Sequence, residues 1–220
     1  MYIKFKHSNL SVFKQKQLLD EFVYLTPARV CAHKLHLNKN TVNLWYDRLR
    51  HLLMSLPPPT PFSGIVEVDE SYFGQKRFGI TGTGTADKVP LFGLRERKSG
   101  LVGAEVVNGT DHTYLIPLIE KYVQKKSTIY SDGFGAYYHL PQFGYKHYVV
   151  LHAHTYVTSR VVHTNGIESF WSFARHLFYL KKGLLRKAYP LQLKEAVERF
   201  NTRDPRKLRR RLRKLLRNTS

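Results

Sequence analysis

Three acidic residues lie at positions where a charge is costly. Asp69 ends the apolar run 65–69, Asp132 follows the apolar segment 129–131, and 35 residues separate Asp132 from Glu168. Carboxylates at strand ends are expensive to desolvate, and this chain has only 16 Asp and Glu residues against 36 Lys and Arg. Three carboxylates can hold two Mg²⁺ ions, which activate an attacking oxygen and stabilise the leaving one in phosphodiester chemistry. Each acid alone is more simply structural, but as a set they predict metal-dependent phosphodiester chemistry.

The overall charge indicates a polyanionic partner. The 220 residues carry a formal net charge of +20, with a pI near 10.1, which favours nucleic acid ahead of a membrane surface. Because 42% of the residues are hydrophobic, disorder throughout is excluded. The single cysteine, Cys31, excludes an internal disulfide and zinc sites built on several thiolates. No signal-peptide-like segment or 18-residue apolar run occurs, so we expect a cytoplasmic protein that binds no membrane.

Two kinds of element must position the acids. The proline-rich segment 57–61 predicts a stiff linker between a helical domain at 1–56 and an α/β domain at 62–203. The first domain has an apolar helical stripe made of Phe13, Leu18, Leu19, Phe22 and Val23. The second alternates strand-like runs at 65–69, 89–94, 101–107 and 128–130 with helical segments near 112–124, 165–178 and 189–201. The segment 74–88, rich in Gly, Thr and Lys, is typical of a loop.

The segment 26–53 has the layout of a helix-turn-helix. A short helix over about 27–35 is followed by a turn at 36–38 and a second helix, for which Asn38 is the N-cap. The residues expected to pack the two helices together are Val30, Leu35, Leu37, Val42, Trp45 and Leu49. The residues left for a phosphate backbone or a base edge are Lys39, Asn40, Thr41, Asn43, Tyr46 and Arg50. The competing interpretation is a small helical bundle with a solvated polar face.

A basic tail is expected at 204–220. Nine of the fifteen residues from Arg203 to Arg217 are basic and one is acidic. This density of charge predicts sequence-independent contacts to DNA phosphates, with Arg209, Arg210 and Arg213 among the contacting residues.

An ordered series of motifs resembles one protein family. The motifs are NKNTV at 38–42, WYDRLR at 45–50, VEVDESY at 66–72, KVPLFG at 88–93, YSDG at 130–133, HTNGIESFWS at 163–172 and RFNTR at 199–203. Together they resemble bacterial insertion-sequence transposases that have an N-terminal helix-turn-helix and a DDE catalytic domain. The resemblance spans about residues 14–203, and each motif is weak alone but the ordered series is specific.

The resemblance implies a fold, an activity and a set of catalytic residues. The fold is α/β, a ribonuclease-H-like mixed sheet flanked by helices, preceded by a small all-α helix-turn-helix domain. The implied catalytic residues are Asp69, Asp132 and Glu168, which hold two Mg²⁺ ions, with Mn²⁺ as an alternative, and Arg175, which lies seven positions after the glutamate. The implied partners are double-stranded DNA, as the element's inverted repeats and the target, and further copies of the chain. A location at the bacterial nucleoid follows.

Alternatives remain at the level of function and of single residues. A catalytically inactive DNA-binding remnant that acts as a repressor, or a structure-selective nuclease of the same fold, would share these motifs. Some relatives use asparagine as the third ligand, so Asn165 competes with Glu168. We favour Glu168 because a carboxylate brings a full charge to the cations, and we expect Asn165 to cap the helix. A zinc site on His152, His154 and His163 and a phosphate-binding loop at 79–84 are weaker interpretations.

Overall fold

The computed structural model describes residues 9–59, 61–74, 88–150, 163–181 and 184–218. The helices are α1 (Val12–Val23), α2 (Ala28–Leu35), α3 (Lys39–Met54), α4 (His112–Tyr122), α5 (Asn165–Tyr179), α6 (Tyr189–Thr202) and α7 (Pro205–Asn218). The strands are β1 (Ile65–Phe73), β2 (Val89–Glu96), β3 (Val102–Val106), β4 (Thr128–Ser131) and β5 (Lys146–Val149). Two short 3₁₀ helices cover Gly135–Phe143 and Arg186–Ala188.

The chain forms two compact units. One combines Met1–Pro57 with Asn201–Ser220, and the other is Pro58–Phe200. The first division therefore falls inside the proline-rich segment, where successive prolines favour an extended connector. The loop expected at 74–88 lies almost entirely outside the described residues, as do His152 and His154.

The helix-turn-helix layout of the first unit is present at the expected residues. α2 ends where His36 adopts a left-handed conformation with φ of 50°, and the Asn38 side chain accepts from the backbone N–H of Asn40 at 2.8 Å to begin α3. Two apolar residues lie outside the core, contrary to expectation. Val30 is 49% exposed and Phe13 is 67% exposed. Phe13 points away because five helical residues place it about 140° around the axis from Leu18.

The expected basic tail is instead part of the first unit's core, and this prediction is corrected. Residues Pro205–Asn218 form the helix α7, whose Leu208, Leu212 and Leu216 are buried with side chains of α1 and α3. Leucines spaced four residues apart share one face of a helix, so this very basic segment still has an apolar stripe. On α7, Arg209 forms an ion pair of 2.6 Å with Asp20 of α1.

The second unit has the expected mixed sheet flanked by helices. The strand order is β3-β2-β1-β4-β5, with β1, β2 and β3 antiparallel and with β4 and β5 parallel to β1. One face of the sheet packs Val66, Val68 and Phe92 against α4, and the other packs Phe73 and Leu91 against α5 and α6. This arrangement confirms the ribonuclease-H-like fold class. No helix in the described residues is both long and apolar enough to cross a bilayer.

Candidate functional site

Asp69 and Asp132 lie at the same level on neighbouring strands. β1 and β4 are parallel, with Glu67 opposite Tyr130. Continuing this register by two residues brings Asp69 level with Asp132, which directly follows the last residue of β4. Neighbouring residues of paired strands point to the same face of a sheet, so the continued register places the two aspartates on one face.

The helix α5 brings Glu168 to the same side of the sheet. Its buried face, which includes Trp171, packs on the sheet next to Asp69. Gly93 lies directly opposite Asp69 on β2, and a Cβ there would approach Cζ2 of Trp171 to 2.6 Å. A glycine at this position therefore lets α5 pack close to the strand that carries Asp69.

The charges of Asp132 and Glu168 act on Asp69. Burial, together with these two negative charges, raises the pKa of Asp69 to about 7. The indole N–H of Trp171 lies near Asp69 and lowers its pKa. Because Nε1 makes no hydrogen bond of normal geometry, this effect does not offset the increase caused by burial. A buried carboxylate that is acted on by two further negative charges is the electrostatic situation that a bound cation would relieve.

The loop after β4 holds Asp132 in a defined conformation. One of its carboxylate oxygens accepts from the backbone N–H of Phe134 at 3.1 Å. The preceding Ser131 is fully buried, and its hydroxyl lies 2.8 Å from Nε2 of His147 on β5. These contacts fix the backbone on both sides of the carboxylate.

A fourth acid, Glu70, lies beside this group and was not expected as a site residue. Its carboxylate accepts a hydrogen bond from the hydroxyl of Tyr137, whose side chain is completely buried. Burial, together with the charges of Asp69 and Asp132, raises the pKa of Glu70 to about 7. The sequence contains no spacing signal for Tyr137, because it comes from an irregular 3₁₀ segment.

The start of α5 differs from the expected arrangement. Thr164, not Asn165, is the N-cap residue, and the backbone N–H of Glu168 donates to the carbonyl of Thr164 at 3.2 Å. Asn165 and Glu168 are both exposed in the first turn, so the expected capping role of Asn165 is wrong. Arg175, two turns beyond Glu168, is exposed with its guanidinium 5.7 Å from the centre of the Phe73 ring.

The donor set suits a hard cation such as Mg²⁺, although the acids are not yet gathered around one point. Among the described residues, no three His, Cys, Asp or Glu side chains are already close enough to hold a metal ion. The site nevertheless offers carboxylate oxygens, which such ions prefer, and the charges of Asp132 and Glu168 act on Asp69. The residues therefore fit a magnesium site by their chemistry, and the side chains would have to converge when an ion binds.

Four of the six residues expected to contact DNA are available on α3. Lys39, Asn40 and Asn43 are exposed, and Thr41 is half-buried. Tyr46 and Arg50 correct the expectation, because both are buried at 6% and 9% exposure.

The reason is that α3 has a wider buried face than the leucine pattern alone indicates. The Tyr46 hydroxyl donates to the carbonyl of Thr26 at 3.0 Å, and Arg50 pairs with Asp47 at 2.6 Å while its guanidinium lies over the ring of Phe22.

The outer face of α7 forms a basic groove. Its lining residues are Arg206, Arg209, Arg210, Arg213, Lys214 and Arg217. Arg210 and Arg213 are exposed, whereas Arg209 is held by Asp20 and is only half-exposed. Of the three arginines expected to contact phosphates, Arg210 and Arg213 are therefore exposed to solvent.

Comparison with known proteins gives one family and several relatives. A family model, described as an ISXO2-like transposase domain, matches residues 61–201. An uncharacterized transposase-like protein of Haemophilus influenzae is 29% identical over 99 residues, which cover 45% of this chain and 80% of that protein. An uncharacterized protein in transposable element ISH50 of Halobacterium salinarum is 28% identical over 200 residues, which cover 82% of this chain and 66% of that protein.

Two solved structures are more distantly similar. The catalytic core domain of BIV integrase is 14% identical with a TM-score of 0.43, over 62% of this chain and 82% of its own. The HTLV-2 integrase catalytic core domain in complex with magnesium is 13% identical with a TM-score of 0.41, over 67% of this chain and 91% of its own. The fold assignment stands on the strand order and pairing described above.

The family match includes β1, which carries Asp69, β4, which directly precedes Asp132, and the helix that carries Glu168. It also covers well over half of the chain, and so the chain belongs to the ISXO2-like transposase domain family.

Proposed function

We propose that this protein is a transposase that binds the terminal inverted repeats of its insertion sequence and cuts and joins DNA strands with two Mg²⁺ ions. The observation that carries the proposal is the register of β1 and β4, which brings Asp69 level with Asp132, where the charge of Glu168 also acts. Membership of a transposase family supplies the reaction class.

Asp69, Asp132 and Glu168 would hold the ions. Mg²⁺, or Mn²⁺ in its place, supplies charge that activates an attacking oxygen and stabilises a leaving one. The protein itself contributes alignment: a carboxylate on β1, a second directly after β4, a third on a helix packed against the sheet, and Arg175 to orient a DNA phosphate. Asp69, with a pKa near 7, loses its proton readily at neutral pH once a cation is close.

The proposed reaction has two steps. Water first hydrolyses the strand at the end of the element and leaves a 3′-hydroxyl. That hydroxyl then attacks a phosphorus of the target DNA in line, and the new phosphodiester bond replaces the one in the target, whose 3′-oxygen leaves as a 3′-hydroxyl. No covalent bond between protein and DNA is formed. Because two ends of one element must be joined to one target, we further propose that copies of the chain assemble on DNA at the bacterial nucleoid.

DNA recognition is assigned to the first unit. The residues at the start of the second helix of a helix-turn-helix contact base edges, and there Lys39, Asn40, Thr41 and Asn43 are available to DNA. Arg210 and Arg213 on α7 add contacts to phosphates, which hold the protein on DNA without reading its sequence.

The test is cleavage of a labelled duplex that ends in the element's own repeats, with and without Mg²⁺. We expect nicking at the repeat end that requires the metal, followed by joining to a second duplex. Asp132→Asn should bind the repeats with unchanged affinity and cut nothing. Binding without cutting by the unaltered protein would favour a repressor remnant, and cutting of branched DNA irrespective of the repeats would favour a structure-selective nuclease.

A further inference from the structure

We propose that Glu67 is a positioning residue that fixes the first turn of α5, and with it Glu168, to the strand that carries Asp69. This inference rests on the proposed function, because it concerns how the metal-binding carboxylates are held in register. It is carried by a buried network of charged and backbone groups that the resemblance to transposases does not assign.

Glu67 is completely buried, and both of its carboxylate oxygens are engaged. Oε2 accepts from the backbone N–H of Ile167 in the first turn of α5 at 2.9 Å. Oε1 accepts from Nε of Arg97 at 2.8 Å, and Arg95 lies 3.4 Å away. Burying a carboxylate is tolerated only with such pairing, and here the pairing includes the helix itself.

Arg97 extends the connection to the residue that precedes the N-cap of α5. Its Nη2 donates to the backbone carbonyl of His163, while its guanidinium lies 4.6 Å from the centre of the Tyr130 ring on β4. The planar fork of an arginine can bridge two acceptors in fixed geometry. Glu67 and Arg97 together therefore hold residue 163 and residue 167, the two sides of the helix start.

The helix start has no side-chain cap of its own, and a carboxylate from the sheet takes that place. The N-cap residue Thr164 makes no side-chain capping hydrogen bond, and the N–H of Ile167, which also donates to the carbonyl of Thr164 at 3.1 Å, has the Glu67 carboxylate as its second acceptor. A negative charge is also favourable at the N-terminus of a helix.

Gly166 is required by the same close approach. A Cβ at that position would lie 2.1 Å from Nη1 of Arg95 and 2.6 Å from Oε2 of Glu67. The segment 165–167 therefore packs closely against the side chains of Glu67 and Arg95, which lie on two strands of the sheet.

Glu67 and Ile167 are each close in the chain to one of the proposed metal-binding acids. Glu67 precedes Asp69 by two residues on β1, so both side chains lie on one face of the sheet. Ile167, which Glu67 holds, is adjacent to Glu168 in the chain. One carboxylate therefore sets the spacing between the first and the third of the acids.

Two substitutions and one matched control test this role in the full chain. Glu67→Gln removes the charge and keeps the shape. Arg97→Lys keeps the charge but cannot bridge two acceptors in one plane. The control is Arg199→Lys on α6, a buried arginine whose Nε donates to Glu195 at 2.8 Å. Each protein is measured for thermal unfolding, for backbone hydrogen exchange over residues 163–170, and for Mn²⁺ affinity by calorimetry.

We expect faster exchange at Ile167 in Glu67→Gln and Arg97→Lys, and Mn²⁺ dissociation constants about tenfold higher than in the unaltered protein, in the range for residues that orient metal ligands. Arg199→Lys should lose about as much thermal stability as the two variants, but its exchange rate over residues 163–170 and its Mn²⁺ dissociation constant should not change. If Glu67→Gln fails to fold, Arg97→Lys still decides the outcome.

The proposal is overturned if both variants exchange at the unaltered rate over 163–170, or if their Mn²⁺ affinity falls no further than that of Arg199→Lys. Failure of the proposed function has a different pattern. In that case the unaltered protein binds no Mn²⁺, or Asp69→Asn binds Mn²⁺ as well as the unaltered protein does.

Discussion

Glu168 and Asn165 offer the sharpest contrast between single residues. Both are exposed in the first turn of α5, but only Glu168 brings a charge that raises the pKa of Asp69. We expect Glu168→Gln to abolish cleavage while repeat binding and thermal stability are kept, since an amide offers a dipole where the cations need a charge. Asn165→Asp and Asn165→Ala should both leave measurable cutting in the same assay.

The opposite pattern would show that Asn165, and not Glu168, is the third metal ligand. That pattern is near-normal cutting by Glu168→Gln together with a folded but inactive Asn165→Ala, with the fold checked by circular dichroism.

Asp69 should make the stability of the metal-free protein fall with rising pH. Its pKa is raised from 3.8 to about 7 in the folded state, so between about pH 4 and pH 7 the folded chain holds a proton that the unfolded chain releases. The free energy of unfolding therefore decreases across this window, and Glu70 acts in the same direction. Asp69→Asn should be more stable than the unaltered protein at pH 8 by at least about 1 kcal/mol, roughly the free energy of one pKa unit.

Urea unfolding at pH 5 and at pH 8 in EDTA measures this difference. Mg²⁺ added at pH 8 should restore stability to the unaltered protein and not to Asp69→Asn. Equal stability of the two proteins at pH 8 in EDTA would show that the pKa of Asp69 is not raised in the folded protein.

The placement of Asp69 and Asp132 at neighbouring strands was predictable because carboxylates at the ends of apolar runs leave a pattern in the sequence, whereas the role of the three acids stays a prediction. Glu67 shares its face of β1 with Asp69, but its partner Ile167 is 100 residues away and contributes a backbone group. Sequence patterns do not show such backbone partners. Tyr46 and Arg50 were misassigned for a related reason, because their polar ends find partners inside the first unit.

Among the elements, α7 combines two roles that can be separated by mutation. Leu212 is completely buried against the other helices, so Leu212→Ala should cost about 2–5 kcal/mol of stability. Chemical denaturation of the full chain measures this cost. Leu215→Ala, in a partly buried position on the same helix, is the control and should cost clearly less.

The basic face of α7 should determine how binding depends on salt. Replacing Arg210 and Arg213 together by Gln should make the slope of log K against log salt shallower by up to about 1.8, since each phosphate contact contributes about 0.9. The order of preference among repeat sequences should not change. A matched control removes two lysines that are paired with acids on the second unit, Lys121 and Lys125. Equal slopes for both pairs would show that α7 does not touch DNA.

The character of α7 was only half predictable. Its charge density stands out in the sequence and led to the expectation of a tail. The leucines at 208, 212 and 216 carry the contrary signal, a spacing of four that suits a helix. What no local pattern shows is the partner, since α1 and α3 lie more than 150 residues earlier in the chain.

For the whole molecule, the first unit should require both of its chain segments. A fragment of residues 1–57 lacks the three buried leucines of α7, and burying a leucine contributes about 1.5–3 kcal/mol. That loss is comparable with the total stability of a small domain, so we expect the fragment to be largely unfolded. Joining residues 1–57 to 201–218 through a flexible Gly-Ser linker should restore cooperative unfolding, as circular dichroism would show. A fully folded 1–57 fragment would contradict this.

The shared core of the first unit also sets an order of events during translation. The α/β unit, Pro58–Phe200, is continuous in the chain and can fold as soon as it leaves the ribosome. The helices that we propose to recognise DNA are synthesised first but must wait for Leu208, Leu212 and Leu216 before their core is complete. A product of premature termination would therefore carry the acids without a completed first unit. On the proposed function, such incomplete chains would compete poorly with complete ones for the ends of the element.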